Sequence, residues 1–393
     1  MAEKQRFNID FVGRMGVFAI VSGILVGGSV VATSALGLNF GIDFAGGYEI
    51  QVKFAEATSE AQVQSALEPL GLGDARIQRF GAANQNEFLV LIRETGTISD
   101  DDKAGIKADY EKLAGGADKL INLAIAESGE TVRVEFGGPV EEDAVRDVLS
   151  GRGLTIKDVT RSERTDQPEF RFELVSLADQ IEDALQGAFG APEGSDMVRR
   201  VEFVGPQVGN QLRNQGILAV LYALGFILIY IAIRFDLAFS PGAVVALVHD
   251  VIITVGVFAI FQLEFNLPII AAILALVGYS LNDTIVVYDR IRENAVRYRG
   301  RTLRDLVNTS LNQTLSRTII TSATTLLATV SLLVFGGGIV RDFAIALTVG
   351  VLIGTYSSVA VASPVYIVLR ERAERRKAAS STAASKSSST AVA

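Results

Sequence analysis

Two carboxyl groups stand where hydrocarbon is expected. Asp250 falls eight or nine residues into an apolar run that starts near Pro241, directly after His249, the only histidine of the chain. Asp283, preceded by Asn282, falls five residues, or about 8 Å along a helix, short of the end of another apolar run. A third run opens on Arg317 and continues with Thr321, Thr324, Thr325 and Thr329, which form a stripe at helical spacing. A carboxylate inside a membrane costs a few kcal/mol, so it must be protonated, paired or facing water between helices. Two acids, an imidazole and a guanidinium on three spans therefore suit a proton relay, in which a carboxylate alternates between neutral and charged beside a positive partner. The candidate residues are Asp283, Arg317, Asp250, His249, Asn282 and Thr321.

Each group has a plainer alternative. Arg317 at the start of a span is also placed to snorkel to the interface, and threonine hydroxyls often bond the preceding turn of their own helix. Asp283 could serve packing alone through a hydrogen bond to a neighbouring helix. Asp250 is the hardest to explain in that way, because no interface lies within its reach.

Other chemistry finds no support. The chain has no H-E-x-x-H, no G-x-S-x-G, no P-loop and no cysteine, so hydrolytic and ATP-driven reactions lack their residues, and neither a cofactor nor a metal is expected. GGGIVRDF at 336–343 is only superficially a phosphate loop, since no Lys follows its glycines. The expectation is a protein that is not an enzyme.

The elements that must position these groups are read from hydropathy. The chain is 393 residues long and 49% hydrophobic, with apolar runs at 15–36, 217–233, 237–263, 267–288, 318–335 and 343–369. Each approaches the roughly 20 residues that a helix needs to cross about 30 Å of hydrocarbon, which gives six transmembrane helices. The first run is longer than a signal peptide's apolar core, and its leader carries acids as well as Lys4, Arg6 and Arg14, so cleavage is not expected. Residues 41–210 hold 17 Lys and Arg against 32 Asp and Glu, a net of −15; the whole chain is −8, so the remainder is +7. The basic flanks (the leader, Arg234, the segment from Arg290 to Arg304 and the RERAERRK tail) fall on one side if six spans alternate. By the positive-inside rule both termini are cytoplasmic and the acidic segment lies outside, in the periplasm of a two-membrane cell.

Within the acidic segment, strand and helix periods alternate. YEIQVKF, ARIQRFG and EFLVLI are expected strands, with helices at SEAQVQSALEPL and DDKAGIKADYEKLAGG. A second round follows: TVRVEF, helix EEDAVRDVLSGRG, strands LTIKDVT and EFRFELV, helix LADQIEDALQGAF and strand VRRVEFV. That order is ferredoxin-like, and the shared wording of TVRVEFGGPV (131–140) and RRVEFVGPQV (199–208) suggests duplication. FGIDFAGG marks a tight passage out of the first span, with Gly41, Asp43, Gly46 and Gly47 as a structural motif. Gly23, Gly27 and Gly278 read as close helix contacts. The expected fold is a membrane α-helical bundle of six transmembrane helices with an α+β ferredoxin-like periplasmic domain, duplicated. Its segments are a cytoplasmic N-terminus at 1–14, helix 1 at 15–36, the periplasmic domain at 37–212, helices 2–6 at 213–370 with a basic loop at 289–317, and a disordered tail at 371–393.

FGIDFAGG after the first span, RRVEFVGPQVGNQL leading into the second, HD in the third, GYSLNDTIVVYDRIREN in the fourth and LNQTLSRTIITSATTLLAT entering the fifth together resemble the SecF family of protein-export membrane proteins, of the resistance-nodulation-division type. The resemblance covers about residues 6–370. It implies a heterodimer with SecD, work beside the SecYEG channel and YajC on preprotein substrates, a lipid bilayer around the spans, no nucleic acid, and use of the proton-motive force late in translocation across the inner membrane. It carries the relay role to Asp283 and Arg317, and to Asp250 through the HD pair. The alternative it leaves is a proton-coupled exporter of small molecules or lipids of the same transporter type. The outer segment is longer than the single unit typical of that family, and the partner's GLDLRGG signature is absent here.

Overall fold

The computed structural model describes residues 7–73, 75–80, 85–93, 98, 100–162, 167–190, 196–234 and 239–390, with backbone alone for Asp100 and 377–390. In chain order the elements are α1 (Met15–Leu36), β1 (Asn39–Phe40), α2 (Ile42–Ala45), β2 (Gly47–Lys53), α3 (Glu60–Leu67), β3 (Arg76–Phe80) and β4 (Glu87–Ile92). Next come α4 (Asp100–Ala114), β5 (Leu120–Ile125), β6 (Thr131–Phe136), α5 (Glu142–Ser150), β7 (Ile156–Arg161), β8 (Glu169–Leu174), α6 (Leu177–Phe189) and β9 (Val198–Val204). The chain closes with α7 (Pro206–Arg234), α8 (Ser240–Phe261), β10 (Glu264–Phe265), α9 (Leu267–Arg297), α10 (Leu303–Phe335), α11 (Gly338–Ser357) and α12 (Ser363–Thr390). Two compact units result, one from Met1–Phe40 with Asn214–Ala393 and one from Gly41–Arg213.

The first unit is helical. Among the described residues six helices are long and apolar enough to cross a membrane, and the last of them extends from Gly338 to Arg376. α8, α9 and this last span are half buried in the unit, whereas α1, α7 and α10 leave most of their apolar surface uncovered. Tight approaches occur where side chains are small. At Gly354 of α11 an added Cβ would lie 3.0 Å from the Cβ of Ser280, and at Gly350 one would meet the Leu276 side chain. Gly256 of α8 leaves room for Ser29 of α1 in the same way. Gly23, Gly27 and Gly278, expected at such contacts, instead face open space.

The basic segment expected as a loop at 289–317 is mostly helix. α9 continues to Arg297 and α10 starts at Leu303, where the Thr302 hydroxyl accepts from the Asp305 N–H as N-cap. Polar side chains hold this extension together: Asn294 donates to Ser310 and Gln313, both at 2.8 Å, and Arg290 Nε donates to Gln313 at 2.7 Å. The hydropathy signal ends with the hydrocarbon, but the helices do not. Two asparagines one turn apart on α10 also bind the N-terminal segment. Asn312 accepts from the Ile9 N–H (2.7 Å) and donates to its carbonyl (2.8 Å), while Asn308 accepts from the Phe11 N–H (2.9 Å). Donors at the entry to α1 are thus satisfied by a distant helix. The tail expected to be disordered from 371 continues as helix to Thr390; residues 371–390 contain neither Pro nor Gly to stop it.

The second unit holds two antiparallel four-stranded sheets, in the orders β3-β4-β2-β9 and β5-β6-β8-β7. α3 and α6, each opened by a capping box at Ser59 and Ser176, cover the first through Val63, Leu67, Ala178, Ile181 and Leu185. α4 and α5 cover the second through Ile106, Tyr110, Val145 and Leu149. The two rounds of the sequence therefore do not each close on themselves. LADQIEDALQGAF and VRRVEFV, expected in the second sheet, complete the first, where β9 pairs with β2 and Phe203 lies against Tyr48 with ring centres 4.6 Å apart. The second sheet is completed by α4 and by β5, LINLAI, which has no clean alternation to mark it as a strand. The wording shared by 131–140 and 199–208 falls on strands of different sheets, β6 at a centre and β9 at an edge.

Glu49 sits nearly buried in β2 opposite Glu202 of β9. Burial first, then the Glu202 and Asp43 charges, push its carboxyl above the ordinary value, with Arg200 pulling it back. The folded chain thus holds this proton more tightly than the unfolded one, and Glu49 makes stability fall as pH rises from the ordinary carboxylate range through the raised folded value. Glu49→Gln is expected to raise the thermal unfolding midpoint at neutral pH and to lose that advantage in acid, as thermal melts across pH will show.

Candidate functional site

The polar centre of the helical unit is built on Asp250. Ten residues into α8, it lies about 15 Å along the axis from the helix start and is 1% exposed. Its Oδ2 accepts hydrogen bonds from the hydroxyls of Ser280 on α9 (2.6 Å) and Ser357 on α11 (2.8 Å). Its Oδ1 lies 2.9 Å from Nδ1 of His249. Three helices are tied to one carboxyl, and the small residues at their crossings let hydroxyl groups reach it. His249 is itself buried, its Nε2 has no hydrogen-bond partner among the described residues, and its ring lies 6.2 Å from that of Tyr356 with the planes 28° apart. The Tyr356 hydroxyl reaches α1, donating to the Phe18 carbonyl at 3.1 Å and lying 3.1 Å from Ser22 Oγ.

Asp283 is three residues beyond Ser280, on broadly the same side of α9 and about 4.5 Å further along. Only 3% exposed, it has an Oδ2 with no hydrogen-bond partner among the described residues. Arg317 is the cation whose field acts on it, yet among the described residues the two form no ion pair, and the Arg317 side chain is exposed. Arg317 also lies fourteen residues inside α10 rather than at a helix start. The site thus contains one carboxyl with both oxygens engaged and a second held near a guanidinium without touching it.

Two expected members are not brought in. Asn282 is exposed, and the Thr321 hydroxyl donates to the carbonyls of Arg317 and Thr318, both at 3.0 Å. Thr324, Thr325 and Thr329 likewise bond carbonyls of their own helix, so the threonine stripe follows the plainer alternative. Ser280, Ser357 and Tyr356 escaped the sequence reading because serine and tyrosine are ordinary in helices; only the spacing of Ser280 from Asp283 hinted at a shared face.

The glycine motif lies in the other unit. Gly41 is the N-cap of α2, Asp43 stands in its first turn, and Gly46 and Gly47 take φ of 78° and 123°. A Cβ at Gly46 would lie 3.0 Å from the Pro206 Cα, and one at Gly47 would collide with the Ile92 carbonyl oxygen. Backbone runs against backbone there, which only glycine permits.

Comparison with known proteins places these features in one family. The family model described as Protein export membrane protein SecD/SecF, C-terminal, matches residues 187–372, and that described as SecD/SecF GG Motif matches residues 26–58, which include Gly46 and Gly47. A protein translocase subunit SecF from Koribacter versatilis is 39% identical over 387 residues, covering 93% of this chain and 92% of the relative. One from Magnetococcus marinus is 42% identical over 376 residues, covering 96% of each. The crystal structure of SecDF, a translocon-associated membrane protein from Thermus thermophilus, superposes with a TM-score of 0.62 at 30% identity and covers 94% of this chain. The match spans 40% of that longer chain.

The contrast between glycines is testable. Gly47→Ala adds a backbone collision to a strained φ and is expected to destabilise the full chain by about 3 kcal/mol or more. Gly278→Ala, in open space on α9, is expected to cost nothing and to gain up to about 1 kcal/mol of helix propensity. Thermal or chemical unfolding in detergent will compare them.

Proposed function

The chain belongs to the SecF family of protein translocase subunits, and from that premise we propose that it pairs with SecD and uses the proton-motive force to drive the late stage of preprotein translocation beside SecYEG and YajC. The observation that carries this reading is the pair of buried carboxyls, Asp250 and Asp283, in the helical unit. An acid with a free oxygen in a low-dielectric interior favours its neutral form, and a guanidinium nearby favours the charged form, so their separation governs proton loading. One charge moved through the membrane potential is worth about 2.3 kcal/mol per 100 mV, so a few protons supply a conformational step. Loading Asp283 weakens its attraction to Arg317 and lets helices of the two subunits shift against one another. Asn282 and Thr321 are relay candidates of lesser weight, since Asn282 is exposed and Thr321 bonds only backbone carbonyls of its own helix. Asp250, gripped by two serines and beside His249, is the second exchange point.

The distribution of basic flanks supports an inner-membrane protein with both termini cytoplasmic and the Gly41–Arg213 unit in the periplasm. The two strand orders support reading that unit as a pair of ferredoxin-like modules, derived by duplication, that have exchanged their closing helix and strand. A non-enzymatic role fits the absence of hydrolytic and nucleotide-binding motifs from the sequence. The family relationship favours this reading over a small-molecule exporter.

The test is secretion into inverted membrane vesicles. Asp283→Asn and Arg317→Met are expected to abolish stimulation by a proton gradient while leaving the ATP-driven early step intact. Full gradient-dependent stimulation in both variants would remove the proposal.

A further inference from the structure

The last span is not a uniform α-helix. Between α11 and α12 the segment Ser358–Ala362 is a π turn, wider by one residue than a normal turn. Pro364 explains why the widening is stable: its ring would strike the Ala360 carbonyl in a regular helix, and it has no N–H to donate. The Ser363 hydroxyl donates instead to the Ser358 carbonyl, five residues back, at 3.1 Å.

Both ends of the wide turn are held from outside the span. Just before it, Ser357 donates to Asp250 Oδ2, the oxygen that also accepts from Ser280. At its far end, the buried Tyr288 of α9 donates its hydroxyl to the Ala362 carbonyl at 3.1 Å. Gly242 of α8 makes room for that bond: a Cβ there would lie 2.7 Å from the Ala362 oxygen and would collide with the Tyr288 hydroxyl. Beyond it, Tyr366 stacks on Phe239 with ring centres 4.3 Å apart and planes 6° from parallel. A π turn stores an alternative hydrogen-bond register in an otherwise continuous helix, and here both exits from that register pass through side chains of α8 and α9.

We propose that Ser358–Ala362 is the joint at which the last span bends during the working cycle, with Ser357 and Tyr288 as the positioning residues that clamp its two ends. The titratable groups around it are His249 and Asp250 of α8, Asp283 and Tyr288 of α9, and Tyr356 and Tyr366 of the last span; among the described residues α1 adds the Ser22 hydroxyl. Both serines donate to Asp250 Oδ2, so the upper clamp is closed. What drives the joint rests on the proton-coupled reading above; its place in the fold does not.

The chain has no cysteine, so an introduced pair is a clean reporter. Leu352→Cys and Val368→Cys, both exposed and on opposite sides of the turn, are to be spin-labelled in the full chain, reconstituted with SecD in lipid vesicles. The mean label distance is expected to shift by about 2–5 Å between vesicles with and without a proton gradient. Deleting Val359 together with Pro364→Ala, which removes the ring that blocks a regular turn, is expected to remove the shift. Tyr288→Phe, which keeps the ring and so guards against misfolding of the deletion, is expected to lower gradient-stimulated translocation roughly 5- to 10-fold. A distance that ignores the gradient in the native chain, or a shift that survives the deletion, would overturn the joint. A shift seen while Asp283→Asn keeps full gradient-dependent translocation would spare the joint and defeat only the proton relay.

Discussion

An ionisable group in a membrane interior must be compensated, and in this chain two carboxyls meet that demand differently. Asp250 has two hydroxyls on one oxygen and an imidazole on the other. Asp283 keeps an oxygen with no hydrogen-bond partner and is met by the field of a guanidinium that does not touch it. The first arrangement ties helices together; the second leaves a buried carboxyl oxygen with no hydrogen-bond partner among the described residues. Much of the helical unit can be understood as what is needed to keep these two environments distinct a few ångströms apart.

Close packing through small residues makes the first environment possible. Gly354 and Gly350 bring α11 against α9, Gly256 brings α8 against α1, and Gly242 admits the Tyr288 hydroxyl to the last span. Bulkier residues there would separate the backbones and leave serine hydroxyls too short to reach Asp250. On α10, by contrast, much apolar surface stays uncovered, with Ile319, Ile320 and Leu327 exposed around Arg317. The N-terminal part of α10 is moored by Asn308 and Asn312 to the segment before α1.

The sequence made the acids legible because hydropathy sets so sharp a contrast: Asp250 and Asp283 stand out in runs of Val, Ile and Ala, and the six spans follow from the same signal. It did not reveal their partners. Ser280 and Ser357 carry no charge and no periodicity of their own, and which hydroxyl faces which carboxyl depends on helix rotation that only packing decides. The threonines of α10 show the converse, a conspicuous stripe that bonds its own backbone. Strand and helix types in the α+β unit were readable from period, yet the sheet that each joins was not, because α6 and β9 would present a similar apolar face to either core. The helical extensions of α9 and α10 were missed where hydrogen bonds among Arg290, Asn294, Ser310 and Gln313 take over from hydrophobicity.

If the bundle works by loading hydrogen ions onto its interior acids, the protonated carboxyl must be visible directly. Infrared difference spectra of the full chain in lipid, taken between acid and alkaline buffer, should show a protonated-carboxyl carbonyl band that grows on acidification and contains a component of a buried, weakly hydrogen-bonded carboxyl that is lost in Asp283→Asn. A band without such a component, or one that persists unchanged in both Asp283→Asn and Asp250→Asn, would contradict the account.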